Sequence, residues 1–516
     1  MKSFNITGVC IEKKHYMVDI SNKLKKIIAL IDDDQYFTIN RARQYGKTTT
    51  LTQVYHKLKH KYLVLEISFE GLGEKAFESD RDFCITFVDL IKTRLEQNNV
   101  DFKLLENWSK DIDKLDRFEL LSKKITGLVK ASEKEIVLLI DEVDKSSNNQ
   151  LFLHFLGMLR NKYLDRSKGY DHTFKSVILA GVYDVKNLKL KLREDDERKY
   201  NSPWNIAADF NVDMSFNPDE ISTMLKDYEK DHKEKIDIEN MSNEIFQYTN
   251  GYPFLVSKLC KIIDEELCRN WTSEGITEAV KVLLHQNNTL FDDLIKNIEN
   301  NKELYEFVYD MLILGVQYSY THTDPVINIG MVLGIFTEDQ KKVKIHNQIF
   351  ETLIYDHMSI AKARKDYKVK RFDPGQFIDA NKDLNIIAVL DKFQELMQTE
   401  YRKEDEKFIE REGRLIFLAF IKPIINGVGN YFIEAQTRNN KRMDIVITYN
   451  RKKYIIELKI WRGQESESNA ILQLSDYLDI QNETKGYLII FNFNKNKEYK
   501  KELKQIDEKQ IYEVIV

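Results

Sequence analysis

Cysteine is scarce in this chain: Cys10, Cys84, Cys260 and Cys268 are all that 516 residues hold. None forms a Cys-x-x-Cys pair, so neither a zinc ribbon nor a disulfide frame is expected, and reduced thiols are the simple reading. With 6 prolines and 19 glycines there is no room for a long Pro-rich or Gly-rich linker, and domain borders must be read from pattern. No uninterrupted apolar run approaches the ~20 residues of a membrane span. The start, MKSFNITG, lacks the apolar core of a signal peptide, so a cytoplasmic protein with no membrane partner is expected. Charge of one sign is also lacking. The net charge is −5, which excludes a global basic field that would draw the chain to nucleic acid.

What the chain does have is a patterned stretch at residues 36–50, YFTINRARQYGKTTT. Tyr36 to Ile39 reads as a buried strand and Asn40 to Tyr45 as a polar loop. Gly46-Lys47-Thr48 opens a helical pattern with Leu51, Val54, Tyr55 and Leu58 at helical spacing. Strand, loop, Gly-Lys-Thr and helix is the layout of a phosphate-binding loop. Gly46 lets the backbone approach a phosphate, and the free N–H groups of the helix start face the anion. Arg43, Gln44, Tyr45, Gly46, Lys47, Thr48 and Thr49 are therefore candidate ATP contacts. Lys47 is expected at the β- and γ-phosphates and the Thr48 hydroxyl at Mg²⁺. The glycine that usually stands five residues before Gly46 is replaced by Arg41.

A second element supports the first. Residues 135–144, EIVLLIDEVD, carry five apolar residues that end in Asp141-Glu142. That is a buried strand with two carboxylates at its C-terminal edge, where ligands of open α/β sheets bind. Asp141 is a candidate Mg²⁺ ligand, and Glu142 is the candidate that polarises the attacking water, with Asp144 next in line.

Around these motifs strands alternate with helices. Strands are expected at Tyr62–Phe69, Lys175–Gly181 and Phe210–Phe216, with helices near 80–97, 115–131 and 149–164. That pattern predicts an α/β fold with a parallel sheet, and an extra strand lying between the two nucleotide motifs. Ser176 and Tyr183 are candidate γ-phosphate sensors. His15 is expected to be structural rather than a base contact. Arg193 and Arg198 are candidates for an arginine finger on a neighbouring copy in a homo-oligomer, with solvated loop charges as the simpler reading.

After Pro218 the pattern turns helical. Gly251-Tyr252-Pro253 reads as a helix end and a new helix start. Residues 302–357 resemble a winged helix. The expected divisions are 1–216 for the nucleotide domain, 217–360 for the lid and winged-helix-like segment, 361–384 for a linker and 385–516 for a last module.

That module has its own constellation. Helices at 386–399 and 404–421 precede strands at Tyr431–Ala435, Arg442–Ile447 and Tyr454–Trp461. Asp444 and Glu457 stand on successive strands, and Lys459 shares a face with Glu457. Two such carboxylates can hold Mg²⁺ beside a phosphodiester, and the lysine can stabilise the charge that develops. Glu412 is a possible further carboxylate, and Gln473 and Tyr477 on the next helix can line the same site. Lys441, Arg442, Arg451, Lys452, Lys453, Lys459 and Arg462 form a local basic stripe that can track a phosphate backbone, or equally a solvated hairpin turn.

These residues carry a resemblance. INRARQYGKT at 39–48, LIDE at 139–142 and GYP at 251–253 resemble the bacterial AAA-like, signalling-type P-loop ATPases. RMD at 442–444, IELKIWRG at 456–463 and QLSDYL at 473–478 resemble the PD-(D/E)XK nuclease-like domains fused behind such ATPases. The resemblance implies a P-loop sheet with a helical lid and winged-helix-like segment, followed by a small α/β nuclease-like domain. It implies ATP and Mg²⁺, a nucleic acid partner (DNA rather than RNA), and a role in DNA processing or defence. The alternative is an ATP-dependent switch whose last domain binds nucleic acid or protein without cleaving it.

Overall fold

The computed structural model describes residues 2–143, 150–182, 204–314, 316–366, 374–400, 410–425, 428–436, 442–450, 452–494 and 497–516. Asp144, Tyr183, Arg193 and Arg198 lie outside them, as do the side chains of Glu412 and Asp444. The chain divides into two compact units, Met1–Leu290 with His322–Thr337, and Phe291–Thr321 with Glu338–Val516. Among the described residues no helix is long and apolar enough to cross a membrane.

The first unit opens with helix α1 (Ser21–Asp32), strand β1 (Phe37–Asn40), α2 (Lys47–Leu58) and β2 (Leu63–Ser68). Three helices follow, α3 (Asp80–Gln97), α4 (Phe102–Ser109) and α5 (Phe118–Ala131), one more than the apolar spacing suggested. Then come β3 (Ile136–Asp141), α6 (Gln150–Ser167) and β4 (Ser176–Gly181). Every residue of β3 and β4 is buried, as continuous apolar runs demand when helices cover both faces of a parallel sheet. The sheet order is β1-β4-β3-β2, all parallel. Thus β4 lies between the strand that feeds the phosphate loop and the strand that ends in Asp141.

Residues 210–216 do not extend this sheet, which corrects the expected last strand. A lone bridge pairs Ala208 with Phe37. Beyond it the backbone is taken by side chains: Arg41 Nη2 donates to the Val212 carbonyl at 2.7 Å, and Lys23 donates to that of Ser215.

The next helices are α7 (Pro218–His232), α8 (Ile238–Thr249), α9 (Pro253–Glu265) and α10 (Ser273–His285). Sequence sets their ends. Asn217 and Glu220 form a reciprocal capping box around Pro218 at the start of α7. Asn250 and Gly251, with φ of 46° and 69°, end α8, and Pro253 takes the first position of α9.

The chain continues through α11 (Thr289–Glu299), α12 (Lys302–Tyr309) and α13 (Pro325–Val332). Strands β5 (Phe336–Asp339) and β6 (Lys342–Ile345) then flank a turn at Gln340 and Lys341, both at positive φ. Helix α14 (Gln348–Asp366) comes next.

The second unit is built on α15 (Ile386–Glu400), α16 (Glu410–Ile425), β7 (Asn430–Gln436), β8 (Arg442–Tyr449), β9 (Lys452–Ile460), α17 (Gln464–Gln481), β10 (Lys485–Phe491), β11 (Lys501–Ile506) and β12 (Lys509–Ile515). Its six-stranded sheet runs β11-β12-β10-β9-β8-β7, with β9, β10 and β12 parallel and the outer pairings antiparallel. Phe377 and Leu384 are buried, while Asp383 accepts from Asn450 and pairs with Lys452 at the β8–β9 turn. Residues 374–384 are therefore packed against this module.

Candidate functional sites

The phosphate loop joins β1 to α2 along a sharply turned backbone. Gly46 caps α2 from the left-handed region at φ 76°, and Gln44 also lies there at 57°. Lys47 is buried, and its Nζ donates to the carbonyls of Arg41 and Ala42 at 3.0 and 2.9 Å. The ammonium is thus held inside the curve of the loop. Thr48 Oγ1 donates to Asp141 Oδ2 at 2.7 Å, so the two motifs meet at one point. A hydroxyl and a buried carboxylate this close form a donor set that suits a hydrated divalent cation. Thr49 faces the other way and accepts from the Cys10 N–H at 3.2 Å.

Arg41 shows why the missing glycine is tolerated. Its side chain leaves the loop, covers the Phe210 ring at 5.6 Å and donates to Val212. Burial holds its guanidinium below its ordinary range.

Glu142 follows the end of β3 at φ 55°, an uncommon conformation for a glutamate, and its N–H donates to Asp141 Oδ1 at 2.9 Å. Strain of this kind clusters at working sites. On β2, Glu66 feels the same carboxylate. Burial raises its carboxyl above the usual range, Arg94 pulls against that, and Asp141 adds to it.

The helical part of this unit closes on the loop. Tyr252 Oη donates to the Arg43 carbonyl at 2.6 Å, and its ring meets Tyr45 edge-on at 4.6 Å. The Tyr45 hydroxyl pairs with Ser215 at 2.7 Å, and burial pushes it up to about 12. Gly251 must be glycine, because a Cβ there would lie 1.9 Å from the Phe216 carbonyl oxygen. Gly334, just past α13, is similarly tight, since a Cβ would meet that of Ala42 at 2.6 Å.

Ser176 is corrected by its position. It begins β4, at the edge of the sheet away from the loop, and its hydroxyl donates to the Gln35 carbonyl. It cannot sense a γ-phosphate from there.

In the second unit, Glu457 is fully buried and Lys459 Nζ lies 3.0 Å from its Oε1. The register that pairs Ile445 with Ile456 sets the backbone of Asp444 level with that of Glu457. Ile455, on the same face of β9 as Glu457, packs against Leu474, Tyr477 and Leu478 of α17. Gln473 Nε2 donates to Tyr477 Oη at 2.7 Å on that helix. The backbone of Glu412 lies in the first turn of α16.

Sequence reasoning missed the β11–β12 hairpin and the carboxylate it carries. Glu513 is level with Leu488, which is level with Glu457, so both acids lie in one row across the sheet. Lys504 Nζ reaches Glu513 Oε2 at 2.9 Å and also pairs with Glu467 of α17. Burial holds the Glu513 carboxyl above its ordinary range while Lys504 pulls it down. An acid within the apolar run IYEVIV was the signal.

A model of the AAA-like domain family matches residues 10–354. Over 323 residues the chain is 21% identical to an uncharacterised WD repeat-containing protein of Synechocystis sp., which takes 61% of this chain and 24% of that protein. The chain spans about a quarter of the length of this curated relative. Among solved structures it is similar to a Walker-type ATPase of Pyrococcus abyssi, at 14% identity and a TM-score of 0.46, covering 68% of this chain and 99% of that one. It is also similar to the ORC1 protein of Aeropyrum pernix in complex with DNA, at 11% identity and a TM-score of 0.31, covering 67% of this chain and 94% of that one.

Proposed function

The chain belongs to the AAA-like domain family over residues 10–354, and from that premise we propose that it binds and hydrolyses ATP to control its C-terminal module. The observation that carries the first half is the Thr48–Asp141 hydrogen bond, which joins the phosphate loop to the acidic strand end. Lys47 gives up its two loop carbonyls for the β- and γ-phosphates, and Gly46 with Gln44, Tyr45 and Arg43 wraps the backbone around them. Thr48 and Asp141 would hold Mg²⁺, whose charge would screen the phosphates. Glu142 accepts the proton of the attacking water as general base. Its backbone N–H, bonded to Asp141 Oδ1, keeps the residue beside that acid.

For the second half, the reading is a metal-dependent nuclease-like site. Asp444 and Glu457 would hold Mg²⁺, which would activate water and offset charge on the phosphodiester. Lys459 stabilises the pentacovalent phosphate, Gln473 and Tyr477 orient the backbone of the DNA, and Glu412 is the reserve carboxylate. The full burial of Glu457 favours a second reading, in which the module binds nucleic acid without cutting it.

Two assays test this. Lys47→Ala should abolish binding of a fluorescent ATP analogue, and unchanged affinity would sink the phosphate-loop assignment. Plasmid and linear DNA incubated with Mg²⁺ or Mn²⁺ should be cut by the wild type and not by Asp444→Ala. DNA retained on a filter but never cut supports the second reading, and neither binding nor cutting removes both.

A further inference from the structure

Residues 2–19 form an arm between the helical part of the first unit and the phosphate loop. The root of the arm lies on α7. Lys2 Nζ is 2.6 Å from Asp227 Oδ2, the Tyr16 hydroxyl donates to Asp231 Oδ2 at 3.2 Å, and the Asp19 N–H donates to Thr223 Oγ1 at 2.9 Å. Phe4 and Tyr16 are buried there, and the Phe4 ring lies 5.2 Å from that of Tyr228 and 6.1 Å from that of Trp271. A bridge between Ser3 and His15 closes the neck. Beyond it the chain loops out. Asn5 Nδ2 donates to the Thr7 carbonyl at 2.8 Å, His15 Nδ1 accepts from the Ile11 N–H at 2.9 Å, and Thr7, Gly8 and residues 11–14 are exposed. The tip reaches the first turn of α2, where the Cys10 N–H donates to Thr49 Oγ1 at 3.2 Å.

That turn is flanked by the end of β3 at Thr48, by α9 at Gly46, where an added Cβ would lie 4.0 Å from that of Pro253, and by the arm at Thr49. Of these three walls the arm is the one built to move. Strand β3 is buried throughout, and α9 starts on the buried run Pro253 to Val256. The arm tip is exposed, and its hydrogen bond to α2 is one N–H on one hydroxyl, so it can lift without opening a core. The root favours such a tilt. Both ring nitrogens of His232, at the end of α7, are buried without a hydrogen-bond partner among the described residues, and the Tyr228 and Tyr16 rings lie 4.1 and 6.3 Å away. A buried polar group left unpaired is costly, and a tilt that admits water beside Tyr16 relieves it. We propose that residues 2–16 are a gate: the arm closes on Thr49 along one side of the phosphate loop, and its release sets how fast nucleotide enters and leaves. This rests on the reading of residues 43–49 as a nucleotide site.

The test is stopped-flow binding and chase of a fluorescent ATP analogue on the full chain with Mg²⁺. Cys10→Pro deletes the N–H that reaches Thr49, and Asn5→Ala removes the side chain that shapes the tip. Tyr16→Phe keeps the ring in its cluster and deletes only the bond to Asp231, so it decides the matter if the other two lower the melting temperature. Each variant should bind and release the analogue about threefold to tenfold faster than the wild type, the worth of one ordinary hydrogen bond, while its affinity stays near that of the wild type. A gate lowers the barrier in both directions and leaves the equilibrium alone, whereas a contact to the ligand acts on release. Faster release alone, with weaker affinity, would overturn the gate and make the arm a ligand contact. Wild-type rates in the variants would also overturn it, and that result leaves the nucleotide reading intact. A wild type that binds the analogue no better than Lys47→Ala removes that reading, and the gate with it.

Discussion

The Thr48 hydroxyl and the Asp141 carboxylate meet at 2.7 Å although 93 residues separate them in the chain. The strand order makes this possible. With β4 between β1 and β3, the helix that follows β1 starts over the end of β3. Glu142, one residue on, is thereby fixed beside the same point, in a conformation that costs about 1–2 kcal/mol for a residue with a Cβ.

That strain separates stability from activity. Glu142→Gln should keep nucleotide affinity and lower the hydrolysis rate about 100-fold or more, since an amide cannot take the proton of water. Glu142→Gly should lose the same activity and gain about 1 kcal/mol of stability, because glycine adopts positive φ freely. Phosphate release and thermal melts on the two variants check both halves. Wild-type turnover in Glu142→Gln would move the general base elsewhere.

Gly251→Ala is expected to be among the most damaging single changes in the first unit. The new methyl would lie 1.9 Å from the Phe216 oxygen, a backbone atom that cannot swing aside, and the φ of 69° adds its own cost. Together these predict a loss of about 3 kcal/mol or more, and weaker ATP binding, because Tyr252 loses its hold on Arg43. A melting temperature equal to the wild type would contradict the close approach.

Glu66 gives a pH signature. Its folded carboxyl is raised by burial, so its contribution to stability is full below the unfolded carboxylate value near 4.3 and is lost as pH rises through the folded value. Glu66→Gln removes that loss. The variant should therefore gain melting temperature relative to wild type between about pH 4 and neutrality, with no gain at lower pH. Melts across that range decide the sign, and a wild type that gains on the variant as pH rises would show that Arg94, not burial, governs the group.

Much of the first unit was legible because β3 and β4 are unbroken apolar runs and the Gly46-Lys47-Thr48 helix start is local chemistry. The tolerance of Arg41 was not, since it depends on Val212 and Phe210, 171 and 169 positions away. Residues 210–216 read as a strand because their apolar side chains alternate. The structure gives their backbone to Arg41 and Lys23 instead. Ser176 sat on the right strand at the wrong end, an error that composition cannot correct. In the second unit β9 and its Glu457–Lys459 pair were readable from a period of two. The edge strand β11, KELKQI, places its two apolar residues three apart among Lys, Glu and Gln, so it lacks the period of two that marks a strand and reads as a solvated segment. Its partner β12, with Glu513, went with it.

The last prediction concerns the two sites together. If ATP changes the affinity of the Asp444/Glu457/Lys459 module for DNA, then DNA must change the affinity for ATP by the same factor, because binding free energies form a closed cycle. Lys47 is held by its own carbonyls of Arg41 and Ala42, and Tyr252 is bound to Arg43, so a phosphate that claims Lys47 must rearrange the same loop that Tyr252 grips. Nucleotide affinity should be measured with and without saturating double-stranded DNA in Glu142→Gln, where hydrolysis does not consume the ligand. A ratio of about 5 to 150 is the ordinary range of such coupling. Equal affinities would mean that the chain carries two independent sites, and regulation of the module by ATP would fall while each site could still work alone.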